Sequence, residues 1–217
     1  MKFLNEQPLL FVVSAPSGAG KTTVCNALLQ RFPQLHRAVT CTTRPPRTGE
    51  VHGKDYYFLA KEEFETRKNA GDFVEWANVY GNYYGTLKSE ITDLLRQGKD
   101  IIVSVDVQGV LSIKKLSQTD ALIRQSLVTM FIALPDPESF RMRLGKRGTD
   151  SAEVIQRRVD TATKEMETMG EFDYVLLSGT MEEDADRAAS IFLAEKMKTG
   201  RSDAEEIARF LEKFKKH

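Results

Sequence analysis

Residues Ala15-Pro16-Ser17-Gly18-Ala19-Gly20-Lys21-Thr22 lie between an apolar run, Leu9-Leu10-Phe11-Val12-Val13, and a helical pattern from Thr22 to Arg31. Strand, glycine-rich loop, helix is the setting in which such a stretch binds phosphate. Glycines let successive backbone N–H groups turn inward around phosphate oxygens. The helix that follows presents unsatisfied N–H groups and a positive dipole end to the same anion. Lys21 has the reach for the outer phosphates, and Thr22 offers a hydroxyl to Mg2+. Ala15 stands where the strict motif has its first glycine, while Gly18 and Gly20 keep the turn. The stretch points to a nucleoside triphosphate, with Ala15, Pro16, Ser17, Gly18, Ala19, Gly20, Lys21, Thr22 and Thr23 as expected contacts. The plain alternative is a turn that needs glycines and binds nothing, but Gly-Lys-Thr at this junction is hard to explain by turn chemistry alone.

Outward from this loop, apolar runs alternate with helical patterns. Ile101–Val105, Leu127–Leu134 and Tyr174–Leu177 read as buried strands beside Leu9–Val13, with Arg37–Thr42 as a further candidate. Their near-continuous apolarity suits a parallel sheet covered on both faces. Helices are expected over 22–31, 87–97, 109–116, 137–146, 152–169 and 182–198. The alternation predicts the α/β class: a P-loop NTPase-type parallel sheet flanked by helices, with right-handed crossovers.

A chain of 217 residues fits one such domain with inserted subdomains. Lysine and arginine number 31 and so do aspartate and glutamate. Without a basic excess, neither nucleic acid nor an anionic membrane is an expected partner. Cys25 and Cys41 form no metal spacing and no disulfide framework, so a reducing cytoplasm is the expected setting. Glu6 and Pro8 precede only a short apolar run, unlike a signal peptide, and no segment approaches a membrane span. His36, His52 and His217 are scattered and are not read as ligands.

From Thr43 to Gly85 the rhythm breaks, and Pro, Gly, Tyr and charged residues dominate. Within Thr42-Thr43-Arg44-Pro45-Pro46-Arg47, two arginines flank a stiff Pro-Pro pair, which can hold two guanidinium groups in set positions for phosphate oxygens. A solvated loop with surface charges is the alternative. Farther on, Phe73-Val74-Glu75-Trp76 places a carboxylate in an apolar setting, before an aromatic, glycine-broken turn, 80–86. A carboxylate among aromatics is a reasonable acceptor for the N1–H and exocyclic amine of guanine. Adenine lacks both donors and would leave it unpaired.

These residues carry a resemblance. The series Thr42-Thr43-Arg44-x-x-Arg47-x-x-Glu50-x-x-Gly53-x-x-Tyr56-x-Phe58 resembles the signature of the guanylate kinase family. The likeness continues through 73–76, 81–86, Val105-Asp106-Val107-Gln108-Gly109 and Arg143-x-x-x-Arg147-Gly148-Thr149, covering about residues 9 to 195. It implies transfer of the ATP γ-phosphoryl group to GMP or dGMP, giving ADP and GDP, in purine nucleotide metabolism. ATP and GMP would be the substrates and Mg2+ the cofactor, in a monomer or homodimer. The division it implies is a core of 9–42, 87–134 and 171–198, a GMP-binding insert of 43–86, a helical lid of 136–170 and a C-terminal helix of 201–217. By resemblance, Arg44, Arg47, Tyr56 and Tyr84 hold the GMP phosphate, and Glu75 reads the guanine edge with Thr40, Thr86 and Asp106.

Arg143 and Arg147 are four apart on one expected helix and so share a face; Arg158 lies on the next. There Ile155, Val159, Ala162, Met166 and Met169 form the expected buried stripe. Three arginines across 145–151 suit a lid that closes on triphosphate, and with Lys21 and Arg44 they make the expected catalytic set. Two amphipathic helices with solvated charges are the alternative. The tail carries Ile207, Phe210, Leu211 and Phe214 at helical spacing, and docking on the core is expected over docking on another subunit.

The chain departs from the family pattern in two places. Ser104 stands where the family usually carries an acid that organises Mg2+, often through water; either Asp106 partly replaces it, or the ion relies on Thr22, water and the phosphates. Ser178-Gly179-Thr180 replaces an Asn-Asp pair near the adenine. Two competing readings are another nucleoside-monophosphate kinase, against which Glu75 and the Arg-Pro-Pro-Arg segment argue, and a kinase-like binding module, against which the intact Lys21 and Thr22 argue.

Overall fold

The computed structural model describes residues 7–16, 18–79, 81–145, 152–201 and 204–215. Five parallel strands form the core sheet: β1 (Leu10–Ser14), β2 (Leu35–Arg37), β7 (Asp100–Ser104), β8 (Leu127–Ala133) and β9 (Tyr174–Leu177), in the order β2-β7-β1-β8-β9. Because side chains alternate along a strand, β1 feeds two cores. Phe11 and Val13 pack with Val24 and Leu28 of α1 (Lys21–Arg31) and with Ala188 and Phe192 of α8 (Met181–Lys196). Leu10 and Val12 pack with Ile91 and Leu95 of α3 (Lys88–Arg96), Val110 and Ile113 of α4 (Val107–Ser117) and Ile123 of α5 (Ala121–Ser126). The continuous apolar runs are thus those of strands covered on both sides.

A second, four-stranded sheet joins β3 (Cys41–Thr42), β4 (Tyr57–Phe58), β5 (Phe73–Val79) and β6 (Asn82–Leu87) in the order β4-β3-β6-β5, with α2 (Lys61–Ala70) packed through Phe64 onto Cys41 and Phe73. The expected strand over 37–42 is two strands. β2 ends at Arg37 in the core sheet, and 38–40 carry the chain across to β3 in the second. Apolar pattern alone does not say when a strand changes sheets.

Above the C-terminal end of β8 lie α6 (Pro137–Gly145) and α7 (Ala152–Met166). Val159 and Ala162 are buried, as the helical stripe predicts. Met169 is a correction: α7 stops at Met166, and Met169 opens a 3-10 turn with 43% of its surface exposed. Residues 146–151, where the sequence suggests a mobile lid, lie outside the described residues. The tail forms α9 (Ala204–Lys215), but Phe210 and Leu211 keep 41% and 49% of their surface exposed. Ile207 of that stripe is half-buried, and the Phe214 side chain lies outside the described residues.

At the opposite end of the sheet, Lys196 Nζ donates to Asp100 Oδ1 (3.0 Å) and to the Gln7 carbonyl (2.9 Å), while Leu9 N–H donates to the same carboxylate oxygen (2.8 Å). Both charged side chains are only 7% exposed. This buried pair ties the last long helix to β7 and to the segment entering β1.

Candidate active site

The site is assembled at the C-terminal ends of β1 and β7, where an open α/β sheet leaves a crevice between diverging connections. The loop after β1 turns through Gly18 and Gly20, at φ 97° and 102°, conformations that strain a residue bearing Cβ. Ala15 is buried in the core cluster with Ala19, so the side chain in place of the usual glycine points into packing. Ser17 lies outside the described residues. Gly20 caps α1, whose first turn carries Lys21, Thr22 and Thr23, the last two exposed. Lys21 Nζ donates to the Val105 carbonyl at the end of β7 (3.0 Å). Burial holds its pKa below the ordinary lysine value, offset in part by the negative charges of Asp106 and Glu165.

A polar cleft of about 170 Å3 joins the two halves of the expected chemistry: Thr22, Cys25 and Ser104 line it from the core, Thr40 from the 38–40 crossing, and Asp55 and Tyr56 from the segment before β4. Burial pushes the Cys25 thiol pKa up to about 11, against the nearby charges of Arg37 and Lys21. Thr22 and Ser104, each with a hydroxyl, line this cleft, and among the described residues no group of three or more His, Cys, Asp or Glu gathers to hold a metal. That donor set fits Mg2+ carried in on phosphates, since the ion keeps several waters and needs one or two protein oxygens.

Glu75 sits where β5 bulges. Phe73 pairs with Leu87 and Glu75 with Thr86, so Val74 is the extra residue. The bulge breaks the alternation and buries three residues in a row: Phe73 into the second sheet's core, Val74 into the main core, Glu75 into the site. Glu75 is 9% exposed and accepts a hydrogen bond from Thr86 Oγ1 (2.7 Å). Burial pushes its pKa up to about 7 against the Thr86 bond, with Asp106 adding a raising contribution. Gly85 opposite must be glycine: a Cβ there would meet the Glu75 carbonyl at 2.9 Å and the Phe73 ring at 2.9 Å.

Arg44 is held by a carboxylate that the sequence reading left without a role. Its Nη1 and Nη2 donate to Glu50 Oε2 and Oε1 (2.8 and 2.9 Å), and Nη1 also donates to the Pro45 carbonyl (2.8 Å). Its guanidinium lies 5.3 Å from the Tyr56 ring centre, and that ring lies 6.2 Å from the Tyr84 ring. Glu50 also accepts from the Arg47 N–H (2.7 Å), and these bonds hold its pKa down to about 2. The spacing Arg44-x-x-Arg47-x-x-Glu50 is the available signal, since it sets a carboxylate three and six residues after two arginines. The Arg47 side chain itself is exposed.

Thr40 lies in the 38–40 crossing, its carbonyl accepting from Tyr57 N–H (3.0 Å). Asp106 caps α4, with Oδ1 accepting from Gly109 N–H (2.8 Å), so one oxygen is already engaged. Ser178 and Gly179 both donate to Asp184 (2.8 Å each), and Thr180 forms a capping box with Glu183, which makes this stretch the start of α8. Arg158 is half-buried on α7; the Arg143 side chain and all of Arg147 lie outside the described residues. The structure brings Thr22, Thr40 and Tyr56 to one cleft, with Lys21 preceding Thr22 on α1 and Arg44 beside Tyr56.

A parallel sheet, a glycine loop capping α1, a lysine at the helix start and a facing arginine–tyrosine cluster together define a P-loop phosphotransferase. A sequence profile of the family described as guanylate kinase matches residues 7–195. A guanylate kinase of Symbiobacterium thermophilum is 41% identical over 205 residues, 94% of each chain, and one of Clostridium perfringens is 41% identical over 91% of this chain and 88% of its own. The crystal structure of guanylate kinase from Anaplasma phagocytophilum superposes with a TM-score of 0.72 at 32% identity, covering 95% of this chain and 98% of that one. The chain belongs to the guanylate kinase family.

Proposed function

We propose that this protein transfers the γ-phosphoryl group of ATP to GMP, giving ADP and GDP. The buried Glu75 carboxylate, bonded to Thr86 and within electrostatic reach of Lys21 and Asp106, carries the choice of acceptor. Ionised, it presents an acceptor to the paired donors of guanine, and adenine would leave it desolvated and unmatched. Thr40, Thr86 and Asp106 serve with it, and Arg44, Arg47, Tyr56 and Tyr84 hold the acceptor phosphate.

Phosphoryl transfer asks the protein for alignment and charge. On ATP binding, Lys21 exchanges the Val105 carbonyl for phosphate oxygens, and residues 15–23 wrap the triphosphate. Mg2+, when bound, neutralises phosphate charge, and Thr22 would hold it. The acceptor phosphate is already an anion, so no side chain is needed as base. Arg143, Arg147 and Arg158 close over the donor and exclude water that would otherwise hydrolyse ATP. Among the described residues no helix is long and apolar enough to cross a membrane.

The test is ADP formation by the purified chain with GMP, dGMP, AMP and UMP, with and without Mg2+. GMP-dependent turnover is expected, with AMP and UMP at least about 100-fold poorer in kcat/KM because neither base presents guanine's adjacent N1–H and amine donors to Glu75. Folded protein without GMP-dependent turnover overturns the reading.

A further inference from the structure

The link between the core sheet and the second sheet is clasped by a residue outside the family motifs. Glu90 lies in the first turn of α3, one turn past the point where β6 returns the chain to the core. An acid there commonly serves the helix dipole or folds back onto the helix's own first N–H groups. Here both its oxygens go elsewhere. Oε1 accepts from the Val39 N–H (2.9 Å) and Oε2 from the Tyr57 hydroxyl (3.2 Å).

Val39 lies in the outgoing crossing, and Tyr57 belongs to β4, whose N–H donates in turn to the Thr40 carbonyl (3.0 Å). One carboxylate therefore joins three pieces of chain: the outgoing crossing, a strand of the insert, and the start of the returning helix. Tyr57 is half-buried, and burial together with the Glu90 charge raises its phenol pKa, as expected of a hydroxyl that stays protonated and donates. Between the two clasped points sit Thr40 and, one residue before Tyr57, Tyr56, both facing the cleft opposite Thr22.

We infer that Glu90 is a positioning residue for the acceptor nucleotide: it fixes the 38–40 crossing against β4 and so sets Thr40 and Tyr56 relative to the donor loop. This rests on the GMP reading above. Glu90→Ala removes both bonds and leaves the Val39 N–H without its partner; Tyr57→Phe removes one bond; Glu90→Gln keeps an acceptor for only one of the two donors. Losing both bonds is expected to raise KM for GMP about 10-fold, and losing one about 3-fold, with KM for ATP within about 2-fold of wild type. Amide exchange at Val39 and Tyr57 should quicken in Glu90→Ala, whether or not nucleotide is present.

Steady-state kinetics with each nucleotide varied, together with exchange on the three variants and wild type, makes the test. A purely structural role would lower the thermal midpoint and leave both KM values alone, and that result overturns the inference. So does an equal rise in the two KM values, or unchanged exchange at Val39. Wild type that forms no ADP with GMP overturns the acceptor assignment instead, and Glu90's part in GMP binding falls with it.

Discussion

Replacing Glu75 by glutamine should make the protein more stable and less able to use GMP, in a manner set by pH. The carboxyl is raised from 4.5 to about 7, chiefly by burial. Between those values the native state holds a proton that the unfolded chain has lost, so stability falls as pH rises across the window. At about 1.4 kcal/mol per pH unit, the ionised group costs the native state about 3 kcal/mol by pH 8. Glutamine keeps an acceptor for Thr86 Oγ1 and carries no charge. Glu75→Gln should thus match wild type near pH 4.5 and exceed it by about 3 kcal/mol at pH 8, or roughly 6 to 12 °C in midpoint for a chain of this size. Urea and thermal unfolding at the two pH values measure it. Turnover should move the other way, because the ionised carboxylate is the form guanine needs. From about pH 7 down to about pH 6, kcat/KM for wild type with GMP should fall about tenfold per unit, and more steeply below that, where the GMP phosphate titrates too. The variant, some 100-fold weaker at pH 8, should show only the titration of the GMP phosphate, near about pH 6. A stability difference that does not change with pH, or a wild-type profile parallel to that of the variant, would refute the assignment of Glu75 as a buried, guanine-reading carboxylate.

Three further changes test other parts of the molecule. Glu50→Gln breaks the fork that holds Arg44 and should raise KM for GMP about tenfold while sparing KM for ATP; equal effects on both would show that Glu50 serves folding alone. Ser104→Asp puts a carboxylate in the cleft that Thr22 lines and should lower the Mg2+ concentration for half-maximal turnover; an unchanged Mg2+ titration counts against any metal role for that position. Lys196→Met leaves Asp100 buried with Leu9 N–H as its described hydrogen-bond partner and should cost about 3 to 5 kcal/mol in urea unfolding, much of it regained on adding Asp100→Asn. A loss below about 1 kcal/mol would mean that water reaches the pair.

Much of the fold was legible because local pattern and tertiary role coincide. Leu9–Val13 reads as a buried strand since β1 lies mid-sheet, and Gly18 and Gly20 read as turn residues since the loop requires positive φ there. The stretch 37–42 misled because one extended run serves two sheets, and Met169 because periodicity does not register where a helix tightens into a 3-10 turn. α2 and the short α5 were missed. Each buries little of its own surface, so the helical stripe is faint.

The sequence by itself determined the class of fold and the family, and its motifs supply the residues proposed for donor and acceptor. These rest on backbone conformation and side-chain chemistry at fixed spacing, which travel with the chain. Only the tertiary structure decided what each charge meets. Lys21 rests on the Val105 carbonyl and Glu90 clasps the 38–40 crossing to β4, each by contacts between segments that lie apart in the chain, while Glu50 grips Arg44 by the folding of a single loop. The bulge at Val74 turns Glu75 from a surface alternation into a buried carboxylate. Its pKa near 7 follows from that burial, because desolvation depends on what packs around a group and local sequence does not carry that information.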